Sequence, residues 1–190
     1  MNALEFSERL LSLKPDETFL RNIGKIKIAE RLLSSYHLRR VTNFPENDPV
    51  IDIVKNYDVS TFSIFRFCFL KETVQCEEYI FFGEEEADYL AINQNSGNIE
   101  FINHEIFDLY GSKIFEGEKN DTIILKCARN SSQFLDALIC AAKLQKEVNE
   151  NIGGFEGVSD DIKKELCETA IIVAGGASYR IFWEIIFGVD

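Results

Sequence analysis

The stretch Tyr79-Ile80-Phe81-Phe82-Gly83-Glu84-Glu85-Glu86-Ala87-Asp88-Tyr89-Leu90-Ala91-Ile92-Asn93-Gln94-Asn95-Ser96-Gly97-Asn98-Ile99-Glu100-Phe101-Ile102 decides the fold. It holds three short runs rich in aromatic and β-branched residues, Tyr79 to Phe82, Tyr89 to Ile92 and Ile99 to Ile102. Runs of that length and content are strands. An acidic turn separates the first two, and an Asn/Ser/Gly segment separates the last two. Neither connection has room for a crossover helix, so the strands are consecutive antiparallel neighbours. The first ends at Gly83, and Gly97 takes a positive φ in the second turn.

Upstream, Ser60 to Leu70 has the composition of a further strand, with Phe62, Ile64 and either Phe67 or Phe69 facing the core. Before it, Asn43-Phe44-Pro45-Glu46-Asn47-Asp48-Pro49 is a loop, because each proline biases its predecessor away from helix. The first forty residues are helical. Leu4, Leu10 and Leu11 with a Glu5 to Arg9 pair suit a short helix, Pro15-Asp16-Glu17 marks a break and a new start, and Ile28, Ala29, Leu32, Leu33 and Tyr36 form one apolar stripe. The basic side chains Lys25, Lys27, Arg31, Arg39 and Arg40 are available to solvent, to the acidic remainder of the chain or to a partner.

Downstream, a polar stretch with Gly111, Gly117 and Asn120-Asp121 precedes a strand from Thr122 to Cys127. A helix follows, capped by Asn130 with Gln133 three residues on, or by Ser131 or Ser132. Phe134, Leu135, Leu138, Ile139 and Ala142 make its apolar stripe, while Asp136, Lys143, Lys146 and Glu147 point away. Gly153 to Gly157 breaks that helix, and Ser159 caps another carrying Ile162, Leu166, Ala170 and Val173. Tyr179 to Phe187 fits a helical stripe and a strand alternation alike; helix is the preferred reading. The architecture expected is α+β: one domain over residues 1–190, with an antiparallel sheet of about five to six strands flanked by N-terminal and C-terminal helices. Residues 1–45 form its helical part, 60–145 the sheet and closing helix, and 150–190 a C-terminal extension.

Charge is distributed by segment. The formal net charge is -12, yet residues 1–40 hold eight basic and five acidic side chains. Between Lys71 and Lys113 there is no Lys or Arg, while Glu72, Glu77, Glu78, Glu84, Glu85, Glu86, Asp88, Glu100, Glu105 and Asp108 all fall inside that window. Such a balance disfavours nucleic acid and anionic membranes as partners, since phosphate binding needs clustered cations. An acidic stripe is either a solvated face or a surface that steers a basic protein to it.

The sequence is less informative about chemistry. Five cysteines at irregular spacings, without a Cys-x-x-Cys pair, suit buried free thiols in a reducing cytoplasm, and acids in Met1 to Glu8 are unlike the basic start of a secretory signal. Asn120-Asp121-Thr122 and Asn130-Ser131-Ser132 are turn and cap residues on that reading. His37 and His104 are the only histidines, and they provide no triad at recognisable spacing and too few ligands for zinc. Gly153-Gly154 and Gly175-Gly176 match no phosphate-binding pattern, and Gly83 to Asp88 lacks the ligand alternation of an EF-hand. No metal or cofactor is expected, and no catalytic residue is assigned.

The segments Tyr79 to Asn93, Gly97-Asn98-Ile99 and Cys127-Ala128-Arg129-Asn130-Ser131-Ser132-Gln133-Phe134-Leu135 resemble the SUKH superfamily over roughly residues 60–145. The shared pattern is an aromatic strand ending in Phe-Gly, an acidic turn, a Gly-bearing hairpin, and a closing strand that runs into a Ser-x-x-Phe-Leu helix. The Pro-x-x-Tyr-x-x-Phe element of many members is not evident here. The resemblance implies a non-catalytic protein-binding module, in bacteria mostly an immunity protein that neutralises a polymorphic toxin and in fungi a cell-wall synthesis regulator. A basic toxin domain would then meet an acidic surface, with Glu84, Glu85, Glu86 and Asp88 as contact cluster and Tyr89 as aromatic anchor. Alternatives are a regulatory or scaffolding module of the same fold and a small carboxylate-based hydrolase.

Overall fold

A computed structural model describes residues 1–22, 26–104, 107–108, 113–114 and 123–189. The elements in chain order are α1 (Ala3–Ser12), α2 (Glu17–Asn22), α3 (Ile26–Ser34), β1 (Arg39–Arg40), α4 (Pro49–Asn56), β2 (Tyr57–Asp58), β3 (Phe67–Cys76), β4 (Tyr79–Glu85), β5 (Asp88–Asn93), β6 (Ile99–Ile102), β7 (Phe107–Asp108), β8 (Lys113–Ile114), β9 (Ile123–Ala128), α5 (Ser131–Asn149), α6 (Asp160–Ala174) and α7 (Arg180–Phe187). The expected α+β class holds. A five-stranded sheet runs in the order β3-β4-β5-β6-β9 with every pairing antiparallel, and β1 with β2 and β7 with β8 form two small ladders.

One face of the sheet carries the main core. Phe67, Phe69, Phe82, Leu90, Ile92, Ile99 and Phe101 are buried there against α4, α5 and α7. Phe134, on the first turn of α5, lies 5.7 Å from Phe67, 5.6 Å from Phe82 and 6.1 Å from Trp183, ring centre to ring centre. These tilted and edge-on contacts are the geometries aromatic quadrupoles favour. The other face has its own smaller cluster of Leu70, Tyr79, Phe81, Tyr89, Ala91 and Ile102.

Several elements differ in detail from expectation. In α1 the buried side chains are Ala3, Phe6 and Leu10, whereas Leu4 and Leu11 are exposed. Glu5 does not pair with Arg9: it accepts from the Asn2 backbone in a reciprocal cap, and Arg9 reaches Asp136 on α5 at 3.3 Å. Lys25 and the side chains of Lys27 and Ile28 lie outside the described residues, as do Glu105, Gly111, Gly117 and the sequon Asn120-Asp121-Thr122. Asn130 caps α5 by accepting from the Gln133 amide at 2.9 Å.

The proline-rich loop hides a helix. Asp48 caps α4 through the amides of Val50 and Ile51, Pro49 occupies the first turn, and the Ser131 hydroxyl donates to the other Asp48 oxygen at 2.6 Å. Proline suits that position because its missing N–H has no partner in a first turn anyway. The strand expected at Ser60 to Leu70 begins only at Phe67. Phe62 and Ile64 are buried as expected, but in a turn: Gln145 of α5 donates to the Ser63 carbonyl at 3.1 Å and accepts from the Phe65 amide, and Phe65 itself has φ +51°. These backbone groups are held by a helix side chain and not by a neighbouring strand.

On α6, Ile162 is exposed, and the buried face is Lys163, Cys167, Ala170, Ile171 and Ala174. The Lys163 ammonium lies 4.3 Å from the centre of the Phe155 ring and 3.4 Å from Asp160, so its stem fills the core while its charge keeps partners. The ambiguous last segment is a helix, α7, entered through a short 3-10 turn at Ala177–Tyr179.

Candidate functional site

The acidic residues singled out in the sequence lie at the β4–β5 end of the sheet, in an arrangement set by strand parity. Gly83 does not end β4; the strand continues through Glu85, which pairs with Asp88, so the turn is only Glu86-Ala87. Successive side chains of a strand point to opposite faces. Glu84, opposite Cys68 and Tyr89, therefore stands on the second face, whereas Glu85, opposite Phe67, stands toward the core face. Glu86 sits at the tip with φ +57° and forms an ion pair with Arg66. Asp88 turns to the end of β6, where one of its oxygens accepts from the His104 backbone amide at 3.0 Å and meets the ring Nδ1 at 2.7 Å.

The four carboxylates thus share one end of the sheet but not one face. Partial burial pushes the Glu85 carboxyl above its ordinary value; Arg66 opposes that shift and Asp88 adds to it. Tyr89 corrects the expectation of a protruding anchor. It is buried in the second-face cluster, its ring 5.7 Å from Phe81 and edge-on to it, because its register partner Ile102 shares that face. Glu100 leaves the outward stripe as well: it is 2% exposed and accepts from the Asn93 side chain at 3.1 Å. Beside it, burial and the Glu100 charge raise the Tyr79 phenol to about 12.

Among the described residues no ion pair joins the basic N-terminal part to this region. Arg39 lies 3.8 Å from Asp58, Arg40 lies 3.8 Å from Asp52, and Arg9 pairs with Asp136. Asp52 also accepts from the Glu46 amide and from Asn56, which pins the 44–48 loop. Cys127, Cys140 and Cys167 are buried free thiols, and Cys68 and Cys76 are half-buried. Burial raises the thiol of Cys76, Cys140, Cys167 and, most strongly, Cys127. Among the described residues no group of three or more His, Cys, Asp and Glu side chains is placed to hold a metal ion, and no single helix is long and apolar enough to cross a membrane.

Two glutamates stand at positive φ without a glycine or asparagine to mark the turn, Glu77 between β3 and β4 and Glu86 between β4 and β5. Left-handed backbone costs an L-residue about 1 kcal/mol or more. Glu77→Gly should therefore raise stability by about 0.5–1 kcal/mol, after the entropy lost by glycine is deducted. Thermal unfolding should show a midpoint a few degrees higher; a lower midpoint would exclude strain at this turn.

Comparison of the chain with family models, with curated proteins and with solved structures gave no match.

Proposed function

We propose that this chain is a non-catalytic protein-binding module whose partner is a basic protein, in the manner of an immunity protein that neutralises a basic toxin domain. The observation that carries the reading is the charge at the β4–β5 end. Glu84, Glu85, Glu86 and Asp88 lie at that end, where Arg66 pairs with Glu86 and His104 Nδ1 lies 2.7 Å from Asp88, and the sequence from Glu72 to Ser112 holds no Lys or Arg. A surplus of this kind speeds the encounter with a cationic surface and selects against anionic ones.

The test is binding to the product of the gene adjacent to its own. A complex should form by size-exclusion chromatography and calorimetry. Affinity should fall by about ten-fold or more in E84K/E85K/E86K, mainly through slower association, and the difference from wild type should shrink in molar salt. Asp88 is left in place because it holds the His104 turn. Affinity unchanged by the triple reversal would remove this end of the sheet from the interface.

A further inference from the structure

The reciprocal hydrogen bonds between Ile64 and Phe67 close the first rung of the outer β3 edge, at 3.1 and 3.0 Å. Beyond that rung the chain turns away at Val59 to Phe62, and among the described residues no strand pairs with β3 on this side. The edge is also irregular, since β3 slips register between Phe69 and Val74 and Leu70 to Thr73 have no partner in β4. The two departures open a groove of about 520 Å³ beside β3, with Val59, Phe62, Phe69 and Leu70 among its apolar lining. That volume suits one or two inserted side chains. Two carboxylates, Glu72 and Glu84, also line it, against the single cation Lys71.

We propose that this groove seats a short basic segment of the partner protein, with one apolar or aromatic side chain on Phe62, Phe69 and Leu70 and a neighbouring Lys or Arg on Glu72 and Glu84. The inference rests on the reading of this chain as a binder of basic proteins and locates where the anchoring contact is made. Glu84 joins the groove to the acidic hairpin end, so long-range attraction and close contact act at one place. Anchors in partly enclosed apolar pockets, ringed by polar groups, carry most of the energy of such contacts.

Cys68 supplies the readout, because it lines the groove while the equally half-buried Cys76 at the far end of β3 does not. The probe is the acetylated, amidated peptide Arg-Trp-Arg-Leu-Arg, with Glu-Trp-Glu-Leu-Glu as its control. At about ten times the peptide's dissociation constant, alkylation of Cys68 by iodoacetamide should slow about ten-fold while Cys76 reacts unchanged. The acidic peptide should leave both rates alone, and E72R/E84R should reverse the preference between the two peptides. Absence of saturable protection at Cys68, or equal protection by both peptides, overturns the proposal. A protein partner that binds while Cys68 stays fully reactive also overturns it, yet leaves the protein-binding reading intact. Selective protection by the basic peptide with no basic protein partner found counts against that reading alone.

Discussion

Trp183→Ala should destabilise the protein by about 3–5 kcal/mol, the range for deleting a large aromatic side chain from a packed core. Trp183 is 1% exposed and is the only tryptophan in the chain. Its ring lies 5.0 Å from Phe182, 6.1 Å from Phe134 and 6.4 Å from Phe187, so it joins α7 to the first turn of α5. Its indole N–H also donates to the Cys127 carbonyl at 2.8 Å, fastening the C-terminal helix to β9. Two costs are combined in the alanine variant, a void and an unpaired carbonyl. Trp183→Phe separates them: it keeps most of the ring volume but removes the donor, and should cost about 1–3 kcal/mol. Urea unfolding followed by circular dichroism measures both. Equal losses in the two variants would mean that the hydrogen bond, and not the packing, attaches α7.

Gly83→Ala should cost about 1–3 kcal/mol, through overpacking and not through backbone strain. A Cβ at this position would stand 2.4 Å from Phe67 Cε2 and 3.0 Å from the Cys68 carbonyl oxygen. Phe67 is itself confined, with ring centres of Phe62, Phe69 and Phe134 at 5.8, 5.0 and 5.7 Å, so it has little room to yield. Gly97→Ala is the internal comparison. Its φ is +75° and nothing lies within 4 Å of an added Cβ, so only the left-handed backbone penalty of about 1 kcal/mol applies. Denaturant midpoints should therefore rank wild type above G97A above G83A. If G83A were the more stable of the two, Phe67 would be freer than its neighbours imply.

Gly83 also illustrates how far a local reading reaches. Phe-Gly followed by glutamates reads as a strand end, since glycine weakens strands and acids favour solvent. In the fold the same glycine is the place where β4 slips register against β5 and admits the Phe67 ring, and the ladder continues to Glu85. A similar inversion affects Ser60 to Leu70. Its apolar alternation is real, and Phe62 and Ile64 are buried, but Gln145, some eighty residues later in the chain, captures the backbone of Ser63 and Phe65 and makes a turn of them. In α4 the helical cue is local, Asp48-Pro49 with Val50, Ile53 and Val54 at helical spacing, but the prolines at 45 and 49 mark the same stretch as loop.

The order of elements, the antiparallel sheet and the cap at Asn130 follow from the chain alone, because alternation, turn residues and capping side chains act between residues a few positions apart. Which side a carboxylate faces does not. Glu84 and Glu85 part to opposite sides, Glu100 is buried beside Asn93, and Tyr89 packs on Phe81, because strand register and its slips are set by pairing with distant segments, and a shift of one residue exchanges the two faces. The groove beside β3 belongs to the same class of feature: it exists only where a turn held by α5 and an irregular edge strand leave a gap between them.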